Sequence, residues 1–202
     1  SRFIDFEGGE PFIWEDNGKR IDDLIDLAKS MGFYSCTITT NAQRPFANSH
    51  ADSIWVSLDG VGEYHERIRG KGTFAKLEQN ISTCNHKALS VNMAVNTLNY
   101  ESVAETIEYV KNNPYIKSIS LNFHTPFEGT EYLALDMEKR KKIIDLIIAY
   151  KKKGYPIMNS VAGLKKMKSL DFTPQCWVTN FIFSDGTRKT QCIGNEQGVC
   201  NE

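Results

Sequence analysis

Short apolar runs alternate along this chain with longer segments of helical periodicity. Runs rich in β-branched and aromatic residues predict five strands, at 3–6, 37–40, 54–58, 89–95 and 116–121. Between the first two runs, Ile21, Ile25 and Ala28 recur at helical spacing and predict a helix over 19–31. Similar apolar stripes predict further helices near 74–81, 103–110 and 136–153.

This alternation predicts an α/β fold with a parallel sheet and right-handed crossovers, because most strand–helix units have the length of about 30 residues typical of a βαβ unit. The pattern changes after residue 155. Two short runs around Asp185-Gly186 predict a β-hairpin there. We therefore expect an α/β body over residues 1–155, then a linker helix and a separate appendage over residues 156–202.

Composition excludes several classes of protein. Lys and Arg number 24 against 25 Asp and Glu, a formal net charge of -1, which argues against a nucleic-acid partner held by bulk electrostatics. No apolar run approaches the roughly 20 residues that span a bilayer, and the first residues lack a signal-peptide core. We expect a soluble, cytoplasmic protein without a membrane partner.

Candidate chemistry lies where the predicted strands end, since parallel α/β proteins build their sites at the carboxyl ends of strands. Gly8 and Gly9 follow the first strand and allow a ligand to approach the backbone, and Glu10 adds a carboxylate. Asn41 follows the second strand, and Ser57 lies in the third. From the residues alone, the glycine pair is either a tight turn or part of a ligand site.

Two motifs resemble those of the radical S-adenosylmethionine (radical SAM) superfamily. The turn Gly8-Gly9-Glu10-Pro11 after a strand resembles the signature that holds the amino group of the cosubstrate in those enzymes. The stretch Ser57-Leu58-Asp59-Gly60, followed by His65 and Arg69, is similar to the fourth-strand region of the same superfamily. Order and strand context agree from residue 3 to about residue 155.

The resemblance implies a fold and a cosubstrate site. The fold is a partial (β/α)6 TIM-like barrel missing its first strand, with a short C-terminal β-hairpin and cysteine-rich extension. By resemblance, Gly8, Gly9 and Glu10 contact the methionine amino end of S-adenosylmethionine, and Asn41 lies close to it. Ser57 bonds the ribose or the carboxylate, and Arg69 pairs with the carboxylate. The chemistry agrees, because an ammonium needs a carboxylate and a carboxylate prefers a guanidinium fork.

The cluster motif of the superfamily has no counterpart in this sequence. In the family, three cysteines spaced C-x-x-x-C-x-x-C bind a [4Fe–4S] cluster, and S-adenosylmethionine chelates the remaining iron. None of the five cysteines here has that spacing. The resemblance therefore implies that the cluster segment is missing together with the first strand, and that this chain alone is inactive.

Three of the five cysteines lie near the end of the sequence. Cys176, Cys192 and Cys200 resemble the opening of the auxiliary-cluster extension known as SPASM, which implies that they are ligands of an auxiliary [4Fe–4S] cluster. The alternative is a set of unrelated thiols in a short hairpin.

The resemblance also implies a reaction for the intact protein. Reductive cleavage of S-adenosylmethionine gives a 5′-deoxyadenosyl radical, which abstracts hydrogen from a substrate; extensions of this kind favour a peptide or protein substrate. An electron donor such as flavodoxin or ferredoxin is implied by the family. Two alternatives stay open: a partial-barrel lyase or aldolase with Gly8-Gly9 as a phosphate turn, and a cluster-free barrel that serves as a binding module.

Overall fold

The computed structural model describes residues 2–171, 173, 179–191, 194 and 198–199, and it has a parallel β-sheet at its centre. The strands are β1 (Phe3–Phe6), β2 (Glu15–Asp16), β3 (Lys19–Arg20), β4 (Ser35–Thr40), β5 (Ser53–Ser57), β6 (Leu89–Val95), β7 (Ile119–Phe123), β8 (Phe181–Ile182) and β9 (Arg188–Lys189). The α-helices are α1 (Ile21–Ser30), α2 (Glu63–Arg69), α3 (Thr73–Ser82), α4 (Val103–Asn112), α5 (Met137–Lys152) and α6 (Val161–Ser169).

The central sheet has five parallel strands in the order β1-β4-β5-β6-β7. Sequential order, with helices between neighbouring strands, confirms the predicted α/β architecture. It is compatible with the predicted partial (β/α)6 TIM-like barrel. Since all five strands run the same way, their carboxyl ends lie along one edge of the sheet, which we call the carboxyl edge.

The two faces of the sheet differ in polarity because side chains alternate along each strand. On β5, Ile54 and Val56 are fully buried, whereas Ser53, Trp55 and Ser57 are half-buried. The same alternation continues across β4, β6 and β7, so the apolar face joins the helices in one core. The opposite face is mostly polar, with Trp55 as an apolar member.

Cross-strand hydrogen bonds connect the polar face. The hydroxyls of Thr37 and Ser53 lie 2.8 Å apart, and the amide of Asn122 donates to the Asn92 side chain over 2.8 Å. These pairs belong to neighbouring parallel strands. The polar face is therefore an ordered surface of hydroxyls and amides, on the side of the sheet away from the helices.

The helices follow the predicted apolar stripes. In α1, Ile21, Ile25 and Ala28 are buried, and Asp22 and Asp23 lie in its first turn. The strongest predicted helix, 136–153, forms as α5, where the Asp136 side chain caps the helix by accepting from the backbone N–H of Lys139.

Three local features differ from the sequence prediction. An antiparallel hairpin, β2–β3, precedes α1 and turns at Asn17-Gly18, both in the left-handed region. Helix α2 is an additional element between β5 and α3. Strand β7 begins at Ile119, three residues after the start of the predicted run 116–121, because residues 114–118 form an irregular segment that leads into the sheet.

Residues 156–169 contact the α/β body. Ile157 bridges to Ile119 of β7, and both the amide and the carbonyl of the Asn159 side chain bond the backbone of Leu121. Lys168 of α6 pairs with Asp145 of α5 at 2.6 Å. The division of the chain into domains at residue 155 stays a prediction.

The predicted C-terminal hairpin forms as β8 and β9, with Gly186 donating to the carbonyl of Phe183 in the turn between them. No helix in the described part of the chain is long and apolar enough to cross a membrane.

Candidate functional site

A glycine pair follows β1 at the carboxyl edge of the sheet. Gly8 and Gly9 have φ values of 87° and 53°, in the left-handed region where a side chain is strained. A Cβ atom built on either glycine meets no other atom within 4 Å. Open space therefore lies against this turn, and the backbone is accessible to a ligand.

Glu10 ends the glycine turn with a carboxylate that is only 9% exposed. Its Oε1 accepts from the Thr40 hydroxyl at 2.7 Å and from the backbone N–H of Phe12 at 3.2 Å. Its Oε2 accepts from the backbone N–H of Asn41 at 2.8 Å. These bonds tie the turn after β1 to the end of β4.

The charge of Glu10 has no counter-charge in the described part of the chain. Its hydrogen-bond donors are two amides and one hydroxyl, and no Lys, Arg or His forms an ion pair with it. Because a buried carboxylate is stabilised by a cation, this corner of the carboxyl edge favours a positively charged ligand group.

The loop after β4 is held rigidly. Asn41 Oδ1 accepts from the backbone N–H of Gln43 at 2.9 Å, and Ala42 is buried at a φ of 58°. The Asn80 side chain of α3 donates to the Ala42 carbonyl at 2.8 Å. Asn41 is therefore fixed beside Glu10 by the turn itself and by a helix.

Asp59 and Arg69 form a partly buried ion pair after β5. Arg69 Nε donates to Asp59 Oδ2 at 2.7 Å, and the side chains of Arg69 and Asp59 are 32% and 3% exposed. Asp59 Oδ1 also accepts from the backbone N–H of Ala94, and its carbonyl accepts from Asn99. Neither Nη group of Arg69 has a partner in the described ranges. The aspartate thus orients a guanidinium whose outer nitrogens can bind an anion.

His65 lies behind this pair as a fully buried residue. Its Nδ1 accepts from the backbone N–H of Asp59 at 3.2 Å, whereas Nε2 has no hydrogen-bond partner among the residues that the structure describes. Burial lowers the pKa of His65 to about 4, the Arg69 charge adds to this, and Asp59 opposes it. His65 is therefore neutral at physiological pH and supports the turn that carries Asp59.

A chain of hydrogen bonds connects the Glu10 corner with Arg69. Gln43, next to the Asn41 loop, donates its side-chain amide to the carbonyl of Thr73 at 3.0 Å. The Thr73 hydroxyl donates to the carbonyl of Gly70, which directly follows Arg69. Glu10, Asn41 and Arg69 therefore belong to one bonded network along the carboxyl edge.

Ser57 lies outside this network. It is half-buried on the polar face of the sheet, in register with Asn92 of β6, and its hydroxyl has no hydrogen bond to the described residues. Its predicted contact with a ribose or carboxylate stays a prediction.

Sequence reasoning missed several residues of the network. Thr40 ties Glu10 to the end of β4, Gln43 connects the Asn41 loop to Thr73, and Asp59 holds Arg69. A signal for Asp59 was available in the sequence, because this acidic residue follows a predicted strand and lies ten positions before Arg69. For Gln43 the sequence carries no signal, because its partner is a backbone carbonyl 30 residues away.

The predicted metal ligands Cys176, Cys192 and Cys200 lie outside the described residues. Within those residues, Cys36 and Cys84 are free and buried, and burial raises the pKa of both thiols. No group of three or more His, Cys, Asp or Glu side chains capable of holding a metal occurs in the described part.

Comparison with known proteins gives a likeness of fold. No protein-family model matches the chain, and a search of curated proteins finds no match. The crystal structure of SuiB from Streptococcus suis aligns with a TM-score of 0.56 and 18% sequence identity, over 77% of this chain. The aligned chain spans 38% of the length of SuiB. At this identity the likeness shows a shared fold.

Proposed function

We propose that this chain is the S-adenosylmethionine-binding part of a radical SAM enzyme. The structural neighbour SuiB is a protein of radical SAM type, so the fold is consistent with that family. The observation that carries the proposal is Glu10, a buried carboxylate that forms no ion pair with the described residues, beside an open turn at the carboxyl edge of a parallel sheet.

The two ends of the methionine moiety match two features of the network. The ammonium would lie against Glu10 and the turn at Gly8 and Gly9, where the carboxylate forms no ion pair with the described residues. The carboxylate would bind the outer nitrogens of Arg69, which Asp59 orients through Nε. Asn41 is held beside Glu10 and would supply an amide, and Ser57 would reach the ligand from the polar face.

The same geometry argues against a phosphate-binding turn. A phosphate beside Gly8 and Gly9 would lie next to the buried Glu10 carboxylate, and two like charges at close range repel each other. The alternative of an aldolase or lyase with a phosphate turn is therefore the weaker candidate.

The described residues supply no ligand set for an iron–sulfur cluster, so the chemistry of the bound cosubstrate depends on parts of the protein outside them. When a reduced [4Fe–4S] cluster is present, the family cleaves S-adenosylmethionine to a 5′-deoxyadenosyl radical. What this chain contributes is the position of the cosubstrate. A peptide or protein substrate and an electron donor such as flavodoxin or ferredoxin remain part of the proposal.

The binding proposal can be tested on this chain by ligand-observed NMR. S-adenosylmethionine should bind measurably, and 5′-methylthioadenosine, which lacks the amino acid end, should bind at least about tenfold more weakly, since each charged contact contributes more than about 1.4 kcal/mol. Arg69→Gln should reduce this difference, because it removes the carboxylate contact and leaves the ammonium contact with Glu10. Arg67→Gln, an exposed arginine on the same helix, is the matched control.

Equal binding of both ligands, or equal effects of the two arginine variants, would contradict the assignment of Glu10 and Arg69. The enzymatic part needs the full-length gene product. After anaerobic reconstitution with iron and sulfide and reduction, it should form 5′-deoxyadenosine from S-adenosylmethionine. Binding without any 5′-deoxyadenosine would favour the cluster-free binding module instead.

A further inference from the structure

A second site is indicated by a cavity between the end of β7 and the start of α5. Its volume is about 270 Å³. The lining residues that matter are Phe123, His124, Leu135, Met137, Arg140 and Leu170. None of them belongs to the network of Glu10 and Arg69, so this inference does not depend on the proposed function.

Arg140 brings a positive charge to this cavity without a counter-charge. Its Nε is buried and has no hydrogen-bond partner, and no acidic side chain of the described residues pairs with it. The guanidinium carbon lies 5.0 Å from the centre of the Phe123 ring. Burial lowers the pKa of Arg140, yet an arginine keeps its charge at neutral pH.

The nearby acids already have partners. The Asp136 carboxylate lines the cavity but accepts from the backbone N–H of Lys139 at 2.8 Å and pairs with its ammonium at 3.2 Å. Glu138 pairs with Lys142 at 2.6 Å. Since Asp136 and Glu138 are paired with Lys139 and Lys142, Arg140 stays available for an anion from outside the chain.

The other walls determine what accompanies the anion. Leu135, Met137 and Phe123 are apolar, and Phe123 stacks on the guanidinium. The volume is slightly below the range of about 300–1,000 Å³ usual for drug-sized ligands. A small organic acid fits these conditions better than a nucleotide or inorganic phosphate, which would leave the apolar walls wet.

We propose that this cavity binds a carboxylate attached to an apolar group of about the size of one amino-acid side chain, with Arg140 as its anion partner. The planar guanidinium can donate two parallel hydrogen bonds to the carboxylate, and the burial of Nε strengthens the bond. Such a ligand is either a free aryl or alkyl acid or the carboxyl-terminal residue of a peptide.

The test is an NMR titration of the full chain with 3-phenylpropionate, its amide 3-phenylpropionamide, the peptide acetyl-Ala-Ala-Phe with a free carboxylate, and inorganic phosphate. Each ligand is titrated into the wild type, Arg140→Met and Lys141→Met. Lys141 is exposed on the same helix and has no partner in the described ranges, so its variant removes an equal charge outside the cavity.

We expect saturable binding of 3-phenylpropionate, and binding at least about tenfold weaker for the amide and for Arg140→Met, because a charged hydrogen bond is lost. Lys141→Met should bind as the wild type does. If the peptide also binds, the ligand is a peptide terminus; if only the small acid binds, it is a free acid.

The proposal is overturned if no carboxylate binds, if acid and amide bind equally, if phosphate alone binds, or if Lys141→Met loses as much affinity as Arg140→Met. Urea unfolding checks that Arg140→Met is folded. Should it fail to fold, the comparison of acid with amide on the wild-type chain decides the question.

Discussion

At the scale of single residues, Asp59 determines the geometry after β5. It is nearly fully buried, and it satisfies Ala94 through one oxygen and Arg69 through the other. Removal of one member of such a pair leaves an uncompensated charge. The sequence indicated the arginine through a family motif but not its partner, because the two are joined only when α2 folds back on the turn.

The pH dependence of stability should reveal His65. Its pKa is about 4 in the folded chain against 6.5 ordinarily, so the unfolded state binds the proton first as pH falls. The stabilisation is complete above pH 6.5 and is lost progressively toward pH 4. Between pH 7 and 5 we expect a loss of up to about 2 kcal/mol from this residue.

Urea unfolding at several pH values measures this loss, and His65→Gln, which keeps an acceptor for the Asp59 amide, should flatten the dependence. In the wild type, the imidazole NMR signal of His65 should titrate with a midpoint near 4. A midpoint at the ordinary histidine value would contradict the buried, neutral state.

Gly60 should tolerate no side chain. Its φ is 135°, and a Cβ would lie 2.6 Å from Tyr64 Cβ and 2.9 Å from Ser102 Oγ. Gly60→Ala should lower the free energy of unfolding by about 3 kcal/mol, from steric overlap and backbone strain together. Gly18→Ala, with a φ of 76° and open space, should cost only about 1 kcal/mol. Chemical denaturation measures the free energy of unfolding of both variants. Equal losses would contradict the steric overlap of a Cβ at Gly60 with Tyr64 and Ser102.

At the scale of elements, apolar alternation predicted the sheet well and its irregular parts poorly. Strands 3–6 and 89–95 agree residue for residue with β1 and β6, because their pattern comes from burial of one face. The hairpin β2–β3 was missed, although Asn17-Gly18 is a strong signal for a two-residue turn. Helix α2 was missed because seven residues with a single buried position give no apolar stripe.

Stability should differ between strands of the same sheet. β6 is central and paired on both sides, whereas β1 is paired with β4 alone in the described part of the chain. Hydrogen exchange of the β6 amides should therefore require opening of the whole sheet. The β1 amides should exchange through local opening, at a rate at least about tenfold higher. Mass spectrometry of peptides covering 3–6 and 89–95 measures this, and equal protection would mean that the edge of β1 is covered.

At the scale of the whole molecule, the candidate site consists of segments far apart in sequence. Glu10, Asn41 and Arg69 follow three different strands, and only the parallel order of those strands brings their loops to one edge. The family resemblance named these three residues as candidates for the site. It could not predict how they are joined, because the joining bonds run through backbone carbonyls that any residue supplies.

Gln43 offers a test of this joining without touching the predicted ligand contacts. Its amide connects the loop of Asn41 to Thr73, and thereby to the segment after Arg69. Gln43→Ala should cost about 1–2 kcal/mol of stability, because the amide donates to the carbonyls of both Asn41 and Thr73 and each hydrogen bond has a net value of about 1 kcal/mol. It should also weaken the binding of S-adenosylmethionine by several-fold, because Arg69 is no longer held in position relative to Glu10.

The control is Gln79→Ala, an exposed glutamine whose side chain bonds only Lys76. It should change neither stability nor binding appreciably. Loss of stability without loss of affinity in Gln43→Ala would mean that the two halves of the site bind independently. A double variant separates these cases. If Gln43→Ala lowers the affinity in the wild type but not in a chain that already carries Arg69→Gln, the Gln43 bond acts through the arginine. One connected carboxyl edge requires this result.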